Sequence, residues 1–292
     1  MPVPPRAPVV LSARDQAIRT TLTIVAVLIF GFLANLTIFG QVQHFVSQQQ
    51  LTNSLRAELA QGTAPVSEGT VDQVLLEAGA PVALIDIPSI GVHEVVVEGT
   101  DSGTLRAGPG HRRDTVLPGQ AGYSVIMGRA AAYGGPFARL QELRPGQQFT
   151  VITGQGRQEF SVLGVRYAGD PMPAPLGAGK SRLVLETARG PAFVPSGIAR
   201  VDAELVSETK PAGVRATTFV TLPAVDRELA TDTRTVWALV FALQFLLLVE
   251  VAAVGAYRRV GLRKTWTVFL PVVTVGGLFV ADQVVRLLPN LL

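Results

Sequence analysis

A reaction centre needs a nucleophile, a proton carrier or a charge placed where charge develops. This chain is poor in the first two. Its 292 residues contain no cysteine, which excludes disulfides, thiolate metal sites and a thiol nucleophile. It has three histidines, His44, His93 and His111. They are widely separated and lack acidic partners at ligand spacing, so no zinc site and no cofactor are expected. His111 is followed by Arg112 and Arg113. That basic loop reads either as a solvated turn or as a contact for anionic polymers or lipid headgroups.

The elements that would position such groups come in two textures. The first is apolar. A mean hydropathy of +0.36 suggests a globular part diluted by membrane segments. Residues 20–40 carry no charge and are long enough to cross a bilayer as a helix. No small-residue cleavage site follows, so the segment reads as a retained anchor. Two further apolar runs span 235–257 and 266–288. The net charge of +3 gathers beside these runs, in Arg6, Arg14 and Arg19 of segment 1–19 and in the RRVGLRK loop assigned to 258–265. The positive-inside rule places both in the cytoplasm, and leaves residues 41–234 and those after the third span outside. The expected location is a plasma membrane crossed three times. No basic stretch is interleaved with aromatics, so no nucleic-acid partner is expected. Glu250 and Asp282 fall within the spans, where ionisable groups are costly. They lie near the interface, or they face a partner helix of this chain or another membrane protein.

The second texture is β. Residues 41–80 read as a helical extension with Leu51, Leu55 and Leu59 on one face, then a linker. Thr70 and Gln73 resemble a capping box opening a short helix through Leu76. From 81 to 207 come seven Val/Ile/Thr-rich runs: VALIDI, VHEVVV, GYSVIM, FTVIT, EFSVLGV, RLVLET and ARVDAEL. Pro/Gly turns separate them, which predicts a closed or nearly closed antiparallel-rich barrel. Residues 208–234 read as a polar linker back to the membrane. The fold class is mainly β, with three transmembrane helices.

Several motifs of the β region occur in one family's order. They are EGTD (98–101), GPGH (108–111), Thr115 with PGQ (118–120), YGGPF (133–137), VLETA (184–188) and ARVDAEL (199–205). This stretch resembles the sortases, closest to the class E type of high-GC Gram-positive bacteria. The resemblance implies a sortase-like eight-stranded barrel and the chemistry of a cysteine transpeptidase. In that chemistry a thiolate attacks a peptide carbonyl, a histidine moves the proton and an arginine stabilises the charge. The family's cysteine closes a TLxTC strand, and here that position is Ala188. Its histidine position is Arg129, within GRAAAYGGPF. Its arginine position is retained as Arg200. A methyl group cannot attack, and an arginine stays protonated and cannot act as a base. The resemblance therefore implies a degenerate, non-catalytic homologue.

Strand alternation puts Val184, Glu186 and Ala188 on the groove face and Thr187 on the other. If family geometry holds, Arg129 and Arg200 approach the groove face. Either Glu186 pairs with an arginine in a filled groove, or the surplus positive charge holds a carboxylate or phosphate. The leading expectation is a binding or scaffold subunit of a cell-envelope membrane complex, with an integral membrane partner and a possible peptide or anionic envelope ligand. The first alternative is a non-catalytic receptor for sorting-signal peptides that assists an active sortase. The second is a residual transpeptidase or hydrolase using an unconventional nucleophile such as Ser196 with His111.

Overall fold

The computed structural model describes residues 12–69, 74–213, 215 and 217–292. Helix α1 (Ala13–Ala34) runs through one wide turn at Asn35–Phe39 into α2 (Gly40–Gln61). Ser12 caps its start by accepting from the Asp15 amide, and Gly62 ends it in the left-handed conformation at φ 70°. The start of the short helix expected from Thr70 through Leu76 lies outside the described residues, and residues 74–76 are not helical. Where description resumes, Leu75 bridges antiparallel to Gly69.

Eight strands follow: β1 (Pro81–Ile87), β2 (Val92–Glu98), β3 (Gly110–His111), β4 (Gly122–Met127), β5 (Gln148–Thr153), β6 (Gly156–Arg166), β7 (Ser181–Arg189) and β8 (Gly197–Leu205). They close into one barrel in the order β1-β2-β3-β4-β7-β8-β6-β5. The β2–β3 and β4–β7 pairs are parallel and the others antiparallel. All seven apolar runs are strands. The eighth strand is two residues long, too short to carry alternation. The barrel interior is sealed by Ile85, Val96, Phe137, Phe160, Leu185 and Val201, with Phe149 stacked on Phe160 at 5.6 Å. Strand β7 is buried along eight of its nine residues, because the interior fills one of its faces and other chain segments cover the second.

Among the described residues, three helical stretches are long and apolar enough to cross a membrane: Ile29–Gln61, Thr233–Val260 and Arg263–Arg286. The last two are α3 (Val236–Val260) and α4 (Leu262–Arg286), which pack as an antiparallel hairpin. The basic segment between them is not the expected loop. Arg258 and Arg259 form the last turn of α3, Arg263 and Lys264 lie in the first turn of α4, and only Gly261 (φ 83°) breaks the helix. Glycine adopts that angle at little steric cost, so one residue suffices to reverse the chain.

The helices and the barrel are locked together. Gln48 of α2 uses its amide as a backbone would: its oxygen accepts from the Val95 amide at 2.7 Å, and its nitrogen donates to Val95 and Ala107 carbonyls. His44 lies 3.1 Å from Glu94. Of the predicted helix face, Leu55 is fully covered and Leu51 and Leu59 are half-buried. Tyr133, of YGGPF, packs against Leu36 and Val285 in a small apolar cluster, with Phe32 and Leu288 at its edge. Asp282 pairs with Arg106 of the barrel and with Arg286, one turn away on its own helix. Glu250 lies on the exposed side of α3.

Candidate functional site: the groove over Ala188

Ala188 lies near the end of β7, opposite Ile198 of β8. With Val184 on the same strand it shares an apolar cluster with Val125 and Met127 of β4 and with Leu105. The expected alternation of Val184 and Ala188 on one face is met. Thr187 points the other way and donates to the Gly128 carbonyl at 2.8 Å. The sixth member of the cluster is Leu291, which is wholly buried. It comes from the segment after α4 and packs into the same cluster as Ala188.

Arg129 follows β4 and has no exposed surface. Its Nε donates to the Leu105 carbonyl at 3.2 Å, Nη1 to the Leu292 carbonyl at 3.2 Å, and Nη2 to the Ser102 carbonyl and hydroxyl at 2.7 and 3.1 Å. The Tyr133 ring lies 5.2 Å away. Burial lowers its pKa to about 10, so it remains a cation at neutral pH. The guanidinium sits among carbonyl oxygens, sealed from solvent, and offers nothing to a dissolved anion.

Arg200 is engaged as well. Its Nε donates to Glu186 at 2.7 Å, and its Nη2 lies 3.6 Å from Glu228. Glu228 also accepts from Arg112, whose remaining nitrogens hold Asp114. Three carboxylates, Glu186, Glu228 and Asp114, thus pair with Arg200 and Arg112, so Arg200 is not a free cation. Sequence reasoning missed Glu228 because it lies in the 208–234 segment, which reads as a linker. That segment instead packs on the barrel: Asp226 accepts from the Thr100 amide at 3.1 Å, and its carbonyl accepts from the Thr100 hydroxyl at 2.6 Å.

Burial pushes the Glu186 carboxyl up, the nearby Glu228 charge adds to this, and Arg200 opposes it. A carboxyl with a higher pKa folded than unfolded binds its proton more tightly in the folded state. Its contribution is full below the ordinary carboxylate range and is lost as pH rises through the raised value. Wild-type stability relative to Glu186→Gln is therefore expected to fall across that window, read by urea unfolding at a series of pH values. A difference independent of pH would mean that Glu186 titrates alike in both states.

The loop of His111, Arg112 and Arg113 is not a free basic surface. His111 is buried, with Nδ1 2.9 Å from Glu98 and Nε2 2.9 Å from the Val116 carbonyl. Arg112 is in the network above, and the Arg113 carbonyl accepts from Arg215. Ser196 is exposed and donates to the Arg189 carbonyl at 3.3 Å. Ser196 and His111 therefore make no dyad: their groups are committed to separate partners.

A closed eight-stranded barrel carries this groove, floored by its β4, β7 and β8 strands, and this is the architecture of a sortase-type domain. Residues 85–190 match the sequence model of the sortase domain. Sortase D of Bacillus subtilis (strain 168) is 30% identical over 87 residues, 30% of this chain and 42% of that protein. The chain thus spans less than half the length of that relative. Among solved structures, a Sortase D5 transpeptidase of Clostridium perfringens has 19% identity and a TM-score of 0.44, covering 57% of this chain and 99% of the other. Sortase E1 of Streptomyces coelicolor, with a tripeptide in its active site, has 23% identity and a TM-score of 0.41 over 45% and 91%. Sortase E of Streptomyces avermitilis has 27% identity and a TM-score of 0.39 over the same shares, 45% and 91%. Residues 85–190 of the chain thus resemble a sortase domain in sequence.

Proposed function

We propose that this is a non-catalytic sortase-family protein that serves as a binding or scaffold subunit of a cell-envelope membrane complex. The observation that carries the reading is the covered methyl group of Ala188, in a chain without cysteine. No nucleophile is available there, and the residue at the family's histidine position, Arg129, is a buried structural cation. The barrel lies outside the cell, with the N-terminus and the turn at Gly261 in the cytoplasm, on the strength of the basic residues flanking the spans. Large apolar side chains line the outer face of the helical hairpin, among them Leu248 and Val251 of α3 and Phe279 of α4. They fit lipid or the helices of a membrane partner.

Two measurements test this. The purified full chain, given a peptide library and an amine acceptor, is expected to form no cleaved or transferred product by mass spectrometry. A product that disappears in Ser196→Ala would establish the unconventional nucleophile instead. The chain isolated gently from its native membrane is expected to carry one membrane protein at comparable abundance. That partner should be lost when Leu248 and Val251 are both replaced by tryptophan. Recovery alone, or a partner indifferent to those changes, would sink the scaffold role.

A further inference from the structure

Helix α4 ends at Arg286, and the residues after it turn into the groove. The root of this segment is fixed to the barrel and its clasp: Ser102 donates to the Val285 carbonyl, the Asp232 amide donates to the Arg286 carbonyl, and Asp282 holds Arg106. Asn290 is fully buried. Its Nδ2 donates to the Thr100 and Arg227 carbonyls at 2.7 and 2.9 Å, and its amide donates to the Ala230 carbonyl at 2.9 Å. The Leu291 carbonyl accepts from the Ala130 amide at 2.9 Å, and its side chain joins the apolar cluster that holds Ala188. Arg129 holds the next carbonyl. The segment is thus recognised through main-chain hydrogen bonds, one polar anchor and one apolar anchor. Peptide grooves use the same division, with backbone bonds giving affinity and pockets giving specificity. A buried asparagine with two carbonyl partners is too specific for incidental packing.

We propose that the groove over Ala188 is a binding site for a short leucine-bearing peptide segment, and that its resident ligand is the chain's own Leu288–Leu292. The tether is α4. A ligand joined to its site by so short a connection acts at millimolar effective concentration or above, so the groove stays closed to weak external peptides. Opening requires α4 to shift against the barrel, which makes the membrane hairpin the handle on the groove. The proposal rests on the geometry of the groove and not on the absence of catalysis. An open groove would leave the inactive reading intact, and a catalytic product would leave the occupancy intact.

The absence of cysteine makes the test clean. Single cysteines are placed in the full chain in detergent: Ala188→Cys under Leu291, Ser196→Cys on the exposed loop, and Val201→Cys in the sealed barrel interior. Their rates of reaction with a maleimide are compared. Ala188→Cys is expected to react at least about a hundredfold more slowly than Ser196→Cys, because reaction waits for the segment to leave. Adding Leu291→Asp is expected to raise the Ala188→Cys rate by about tenfold or more, while Ser196→Cys and Val201→Cys are unchanged. A synthetic Leu-Pro-Asn-Leu-Leu peptide, supplied in excess to that variant, is expected to slow the reaction again. Should Val201→Cys become reactive, the barrel has opened, and the milder Leu291→Ala is read with the same expectation. The proposal falls if Ala188→Cys reacts as fast as Ser196→Cys in the intact chain. It also falls if removing the leucine leaves the rate unchanged, or if excess peptide gives no protection.

Discussion

Replacing Arg129 by alanine is expected to lower the stability of the barrel by at least about 3 kcal/mol. The change strands the Ser102, Leu105 and Leu292 carbonyls, all held by the one guanidinium. Each buried acceptor left alone costs roughly 1–3 kcal/mol, and relief of the buried charge offsets only part of the sum. The lost stacking on Tyr133 and the space left behind add to it. Arg129→Lys should recover less than half of the loss, because an ammonium carries its donors on one nitrogen and cannot span acceptors held by Nε, Nη1 and Nη2. Urea unfolding followed by the β signal in detergent reads both. A loss under about 1 kcal/mol for alanine would show that the three carbonyls find other partners. The result bears on function, since it would make the residue at the family's histidine position a structural strut of the groove.

The second large effect is expected at Gly110, in the GPGH motif. A Cβ there would lie far inside van der Waals contact distance of the Gly99 carbonyl oxygen and 2.7 Å from Leu105 Cδ2. Gly99 cannot yield easily, because its amide donates to the His111 carbonyl at 2.9 Å. Backbone must therefore move, and Gly110→Ala is expected to cost about 4 kcal/mol, a large part of a domain's usual stability. Gly164, on β6, has nothing within 4 Å of a new Cβ and no positive φ. Gly164→Ala should be neutral or slightly stabilising, through the lower entropy of its unfolded chain. Thermal unfolding of the two variants separates a demand for close approach from a general intolerance of glycine replacement. Equal effects would overturn the steric account.

Both sites lie where sequence motifs and tertiary contacts meet, and they mark the boundary of what could be read in advance. The absence of a thiol nucleophile was fixed by composition alone. Seven strands and three long apolar helices followed from local patterns, because alternation and apolar length are properties of neighbouring residues. The helical face of Leu51, Leu55 and Leu59 was legible for the same reason. A pairing of Glu186 with an arginine was open to sequence reasoning as one of two alternatives, since strand alternation placed Glu186 on the groove face and the family resemblance brought Arg129 and Arg200 toward it.

Other features had no local signal. The two-residue strand β3 is a strand only because β2 and β4 flank it. The linker reading of 208–234 failed because its polar residues, Asp226 and Glu228, find partners more than a hundred residues away. In the basic loop, His111 lies against Glu98 and Arg112 pairs with Asp114 and Glu228. Most of all, nothing in the pattern of residues 288–292 announced that Leu291 lies on Ala188. That contact spans about a third of the chain and depends on where α4 ends, on the closure of the barrel and on the hydrogen bonds of Arg129. Such partners are chosen by three-dimensional packing, where a buried polar group takes whichever complement the fold brings near. The sequence by itself determined which chemistry is missing and which elements form. The tertiary structure alone decided that Leu291, from the segment after α4, joins the apolar cluster of Ala188.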